Sequence, residues 1–241
     1  MGPRTRLFSL ASAVLALAVC GCGPGLGPAG PGPALVTPAG VPPTVPPTAA
    51  TTSTLPALPA ALLLASDFGS AYALSGSVLS ETGPTPSVRL LDPMECRAGQ
   101  PGPGGGSAAL VLDQARQLYA APRGHFDSMA VWRFRAAGAT TALAEVREQL
   151  RRCAREELID VDVPVVVRWT VLTTGVAGQE SLVVRAETRR GGELFNVDFF
   201  VVVRQDPVVA SVWLSDQRWT TDRLRALGTR VAARLCAVAA C

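Results

Sequence analysis

Apolar positions along these 241 residues change their period from one stretch to the next, and each period predicts an element. Residues 7–19 form an apolar run interrupted only by Ser9 and Ser12. Leu62-Leu63-Leu64-Ala65-Ser66-Asp67-Phe68 reads as a short buried entry, with Ser66 or Asp67 capping a brief helix. Residues 113–120 suit one short helix. Between 128 and 136 the pattern alternates: Ala130, Trp132, Phe134 and Ala136 lie on one side, Val131, Arg133 and Arg135 on the other. That is the signature of a half-buried strand. From 141 to 155 the spacing turns helical, with Leu143, Val146, Leu150 and Cys153 on one face and Thr140 or Thr141 available to cap the start. Arg147, Arg151, Arg152 and Arg155 sit among Glu148, Glu156 and Glu157, which predicts a solvated face with local ion pairs rather than a basic site.

Four β-rich runs follow, at 162–174, 180–190, 193–204 and 208–215. Gly175-Val176-Ala177-Gly178, Gly191-Gly192 and Gln205-Asp206-Pro207 separate them, and this turn chemistry predicts an antiparallel meander. A two-residue Gly191-Gly192 turn pairs Arg190 with Glu193. Carried along regular strands, that register sets Val184 opposite Phe199, Ala186 opposite Val197 and Arg185 opposite Asp198. Matching apolar faces on the other hairpins then give a core row of Trp169, Val184, Phe199 and Val212. The opposite face carries a row of Arg168, Arg185, Asp198 and Trp213. A last helix, 221–235, presents Leu224, Leu227, Val231 and Leu235 as one stripe to lie across the core row. The class expected is α+β: a mostly antiparallel sheet, made of the four-stranded C-terminal meander plus an earlier strand, with helices packed on one face.

The N-terminal run has the order of an export signal. Arg4 and Arg6 precede it, and Val19-Cys20-Gly21-Cys22 closes it. At 1.5 Å per residue the run covers roughly 20 Å, short of the ~30 Å a membrane span needs. Val-x-Gly-Cys resembles the lipobox of bacterial lipoproteins, which implies a diacylglyceryl-modified Cys22 at the head of the mature chain. Two alternatives stay open, plain secretion with a cut after Ala18 and lipidation at Cys20. Cutting before Cys22 leaves Cys96, Cys153, Cys236 and Cys241, an even set, whereas cutting before Cys20 leaves an odd thiol. Residues 23–60 hold 11 of the 20 prolines and, like everything from 7 to 66, carry no charge. Such a segment buries too little surface to offset its ordering entropy and is read as an extended spacer. The organisation expected is a signal peptide at 1–21, a Pro/Gly/Thr-rich linker at 22–60 and a folded domain at 61–241.

Composition narrows the partners. All 22 basic residues are arginine, and they face 19 acidic ones. Near neutrality excludes the electrostatic footprint of a nucleic-acid binder, and with no polybasic patch the acyl chains must hold the membrane.

Several marks then converge. They are the tethered start, the opening Leu62-Leu63-Leu64-x-x-Asp67, Cys96 shortly after a proline in Asp92-Pro93-Met94-Glu95-Cys96, the Ala115-x-x-x-Tyr119 segment, and a strand and helix ending in Cys153. Over about residues 60–215 the chain resembles the extracellular sensor domains of actinobacterial Ser/Thr protein kinase H, which also occur on lipoproteins. The resemblance implies a ligand-sensing module with a cleft. It also implies a disulfide from the loop before the helix to the helix end, here Cys96 to Cys153. The family's second pair lies beyond the helix. Here 154–235 holds no cysteine, so Cys236 and Cys241 are left to each other. Residues five apart cannot be bridged on an unbroken α-helix, so the helix is expected to break near Ala237.

Catalytic patterns are sparse. His125, in Pro122-Arg123-Gly124-His125, is the single histidine, and there is no nucleophile elbow, no zinc-spaced His pair and no lysine. The expectation is a non-catalytic, cofactor-free, lipid-anchored binding module on the extracytoplasmic face of the cell membrane, its partner an unknown envelope ligand or protein. Arg168, Arg185, Asp198 and Trp213 are the candidate ligand site, suited to a carbohydrate or an anionic lipid; the alternative is a wet sheet face with one cross-strand ion pair. An adaptor for other envelope proteins and an envelope hydrolase with an acidic pair are the other classes.

Overall fold

A computed structural model describes residues 56–85, 88–91, 106–160, 162–239 and 241. Eight strands form one antiparallel sheet: β1 (Ala73–Thr82), β2 (Val111–Ala120), β3 (Phe126–Phe134), β4 (Arg155–Asp160), β5 (Val163–Thr174), β6 (Glu180–Arg190), β7 (Glu193–Gln205) and β8 (Val208–Leu214). Their spatial order is β1-β2-β3-β8-β7-β6-β5-β4. The chain makes one meander, β1 to β3, and crosses the sheet through helix α2 (Gly138–Arg152). It returns from the far edge by a second meander that closes β8 onto β3. Helix α1 (Ala65–Phe68) precedes β1, and α3 (Thr221–Ala239) ends the chain.

The class is as expected, with more strands. Residues 113–120 are β2, not a helix: Ala115, Gln117 and Tyr119 are buried in alternation with exposed Arg116 and Leu118. Their neighbours on β1 and β3 override a helix-compatible composition, and the Tyr119 hydroxyl donates to the Leu63 carbonyl at 2.8 Å. β3 is central and buried on both faces rather than half-buried. α2 starts at Gly138 without a side-chain cap, so neither Thr140 nor Thr141 serves; Thr141 donates back to Ala137 instead. It stops at Arg152, and the residues beyond it form β4. Asp67 does cap α1, accepting from the Leu64 N–H at 2.7 Å. Burial begins before residue 61, with Leu58 already in the core and the Pro56 carbonyl bound by buried Arg133.

The helices lie on both faces, which corrects the one-face expectation. α3 lays Leu224, Leu227, Val231 and Leu235 against Met129, Val131, Phe199, Val201, Val203 and Val212. α2 lays Leu143, Val146 and Leu150 against Phe134, Val184, Val202 and Val209. Alternate residues of β7 therefore serve two cores, a pattern closer to a sandwiched sheet than to one with a wet face. Gly138 seats α2 closely: a Cβ there would lie 2.8 Å from the Phe134 Cβ and 2.9 Å from the Leu110 Cβ. The arginines of α2 are paired as expected, Arg151 and Arg152 with Glu148, while Arg147 reaches Glu180, which Arg204 also holds.

One bulge decides which side chains share a face. Arg190 pairs with Glu193 across Gly191-Gly192, as expected, but Thr188 then pairs with Asn196, leaving Phe195 as an extra residue. From there on β7 is displaced by one against β6: Val184 lies opposite Phe200, Ala186 opposite Asp198 and Arg185 opposite Phe199. A slip of one residue exchanges faces. The expected core row is thus split, with Trp169 and Val184 in the α2 core and Phe199 and Val212 in the α3 core.

Candidate functional site

The same displacement divides the expected ligand row. Arg168 pairs with Glu187, and Arg185 binds Glu187 at 2.9 Å, both on the α3 side of the sheet. Asp198 and Trp213 lie on the α2 side, where Phe200 pairs with Trp213 and the Trp213 indole N–H donates to Asp198 Oδ1 at 3.0 Å. Arg185 and Asp198 are therefore not cross-strand partners, and the four residues do not form one site. Asn196 donates to the other Asp198 oxygen at 2.9 Å. Burial pushes the Asp198 carboxyl above its ordinary range, against these two hydrogen bonds, and the charge of Asp127 pushes the same way.

Trp213 does belong to a cleft. α2 covers only one end of its face of the sheet. Along the same strands, toward the start of β3 and the end of β8, a cleft of about 400 Å³ opens, and no residue of α2 lines it. Its floor is Trp132, Phe200 and Trp213, with Ala130, Ser128 and Ser211 between them. Leu79 and Glu81 of β1 and Gln114 and Arg116 of β2 form one wall, and Arg89 and Leu90 form another. The second wall is pinned, because Ser211 donates its hydroxyl proton to the Leu90 carbonyl. The Trp132 N–H donates to Gln114 Oε1 at 3.0 Å, and the Gln114 amide donates to Glu81. Both indoles are thus held by acceptors at their edges. Arg116 has no ion-pair partner among the described residues. An apolar floor with a few fixed polar groups is the usual make-up of a small-molecule site.

Most of this cleft was missed in the sequence. The alternation of β3 did put Ala130 and Trp132 on one face. Gln114 and Arg116 were hidden by reading β2 as a helix; Phe200 has the parity of Asp198 along β7, on the expected face of Trp213, but was not singled out. Cys22 and Cys96 lie outside the described residues. Cys153 is disulfide-bonded, with its partner outside them. Cys236 and Cys241 are bridged, with Cα atoms 5.1 Å apart; α3 runs to Ala239, so the helix does not break near Ala237 as expected. Exposed His125 lies in the turn before β3, away from the cleft. Among the described residues no helix is long and apolar enough to cross a membrane, and no cluster of His, Cys, Asp and Glu could hold a metal ion.

No family model matches the sequence, and no curated protein does. Solved structures do. The extracellular domain of PknH from Mycobacterium tuberculosis aligns with a TM-score of 0.52 at 12% identity, covering 73% of this chain and 93% of that one. In fold, this chain is similar to the PknH extracellular domain. A protein of Mycobacterium smegmatis described as an Rv0999 ortholog aligns at 14% identity over 72% of this chain and 92% of its own, with a TM-score of 0.39. The PknH likeness is one of fold, and it agrees with the resemblance drawn from the cysteine and Leu-Leu-Leu-x-x-Asp marks.

Proposed function

We propose that this chain is an extracytoplasmic, non-catalytic binding module of sensor type, held on the membrane through a lipidated Cys22, whose ligand occupies the Trp132–Phe200–Trp213 cleft. The observation that carries the reading is that cleft, which three aromatic side chains line, in a cavity large enough for a small molecule and ringed by fixed donors and acceptors. The fold likeness to an extracellular domain supports the compartment. The cleft suits an amphipathic molecule, with an apolar or sugar-ring face stacked on the indoles. Its polar groups would meet Gln114, Glu81 and Ser128, and a negative charge on it would meet Arg116.

Two indoles in the cleft give the test. Titrating the folded domain with solubilised envelope lipids and glycans should shift tryptophan emission, and Trp132→Phe with Trp213→Phe should remove most of that shift. Emission that does not respond, or responds equally in the double variant, contradicts the reading. The anchor is tested separately by intact mass of the membrane-extracted protein, which should begin at Cys22 and carry acyl mass.

A further inference from the structure

A second cleft lies on the other face of the sheet, and the established likeness and the first cleft leave it unused. Its volume is about 460 Å³. One wall is Phe68 and Tyr72, whose rings stack at 5.3 Å. Trp219 closes another side, and the third is α3, which contributes Arg223, Ala226 and Arg230 at positions three and seven residues apart, one helical face. Ala226, between the two arginines, leaves the room.

The walls are fixed from beneath. Asp127 is fully buried, accepts from the Tyr72 hydroxyl at 3.0 Å and from the Ser215 N–H at 2.9 Å, and so ties the aromatic wall to the chain leading into α3. Arg218 is committed to Asp216 at 2.5 Å. Arg223 and Arg230 have no carboxylate partner among the described residues, although Arg225 and Arg234 on the same helix do, with Asp222 and Asp67. At the start of α3 the Arg223 N–H is already taken, donating to Thr220 Oγ1 at 3.3 Å. The positive charge in the cleft comes from the guanidinium groups of Arg223 and Arg230.

We infer that this cleft binds a phosphate ester, with Arg223 and Arg230 taking the phosphate and Tyr72 and Trp219 taking the ring or chain it is attached to. Two uncompensated guanidinium groups call for an anion of nearly double charge, which a phosphate monoester supplies and a single carboxylate does not. Guanidinium forks match phosphate oxygens, and such charge-assisted bonds are stronger than neutral ones. The group could belong to a soluble sugar phosphate or to a lipid headgroup, and one experiment separates the two.

The folded domain is titrated calorimetrically with glucose 1-phosphate and with glucose, and is sedimented with vesicles of phosphatidylcholine alone or mixed with phosphatidylinositol 4-phosphate. Binding of glucose 1-phosphate but not glucose indicates the soluble source, and co-sedimentation only with the phosphoinositide vesicles indicates the headgroup. In either case Arg223→Gln with Arg230→Gln should weaken binding by roughly tenfold or more. Arg223→Lys with Arg230→Lys should restore part of it, and Arg225→Gln, at a residue that pairs with Asp222 and lines neither cleft, should leave it unchanged. The inference is overturned if the wild type binds neither probe, if glucose binds as well as its phosphate, or if the glutamine variant keeps its affinity with an unchanged melting temperature. The first cleft is read by Trp132 and Trp213, so failure of one reading is distinguishable from failure of the other.

Discussion

The two faces of the sheet are covered to different extents by similar means. On one, the 19-residue α3 sets a stripe of leucines and valines, all fully buried, across β3, β8 and β7. On the other, the 15-residue α2 does the same over one end of the strands and stops, and the segment at 88–91 shields part of the rest. Both faces are apolar enough to be core. The difference teaches that the cleft here is core left unroofed: Phe200 and Val202 are successive same-face residues of β7, one under the cleft and the other under α2.

The comparison breaks most visibly by truncation. Leu227→Ala, under α3, should cost about 2–5 kcal/mol, as buried leucine truncations do. Leu79→Ala, at the cleft wall and 63% exposed, should stay within about 0.5 kcal/mol. Equal losses in denaturant melts would mean the cleft is closed in solution. A smaller effect tests the seat of α2. Gly138→Ala drives a Cβ into the Cβ atoms of Phe134 and Leu110, both set by backbone, and should cost about 1–3 kcal/mol. If it stabilises instead, α2 rides higher on the sheet than described.

The contrast also explains what could be read from the sequence. The α3 face was legible because its elements obey one period each: Leu224, Leu227, Val231 and Leu235 on the helix, and clean turns at Gly191-Gly192 and Asp206-Pro207. The C-terminal strands were placed nearly to the residue. Face assignment failed at a single point, because a bulge at Phe195 leaves no composition signal in a strand already rich in valine and phenylalanine. The cleft was hard to see for a related reason. β2 carries Gln114, Arg116 and Gln117 where an ordinary core strand would carry valine, so it reads as a helix. The polar residues that make the strand ambiguous are those that line the site or bind across it.

Acid titration sharpens the comparison at one residue. Asp198, beside the cleft, has its carboxyl raised by burial. A folded-state value above the unfolded one gives a contribution that is fully present below the ordinary carboxyl range and lost as pH rises through the folded value. Relative to Asp198→Asn, the wild type should therefore gain stability as pH falls from neutral toward that range. Asp127 is raised by burial too, so the difference between the two proteins, not the wild-type curve alone, reports Asp198. A difference independent of pH would mean that Asp198 is solvated. The smallest effect expected is deletion of Phe195, which is 67% exposed and stands outside the ladder. Removing it takes out the bulge and leaves every other pair in place, so melting should change by about 0.5 kcal/mol or less. A large loss would show that the bulge itself holds the register.

The central claim, that the uncovered part of the α2 face is a ligand site, is tested most directly by filling it. Ala130 lies on the cleft floor, half-buried, and Ala130→Phe would occupy the space while leaving Trp132, Gln114 and Trp213 in place. Native mass spectrometry of protein taken from its own envelope should show a bound species on the wild type. The same measurement on Ala130→Phe, at an unchanged melting temperature, should show that species lost. A wild type that carries nothing, or a bound species that survives the filled cleft, would contradict the account.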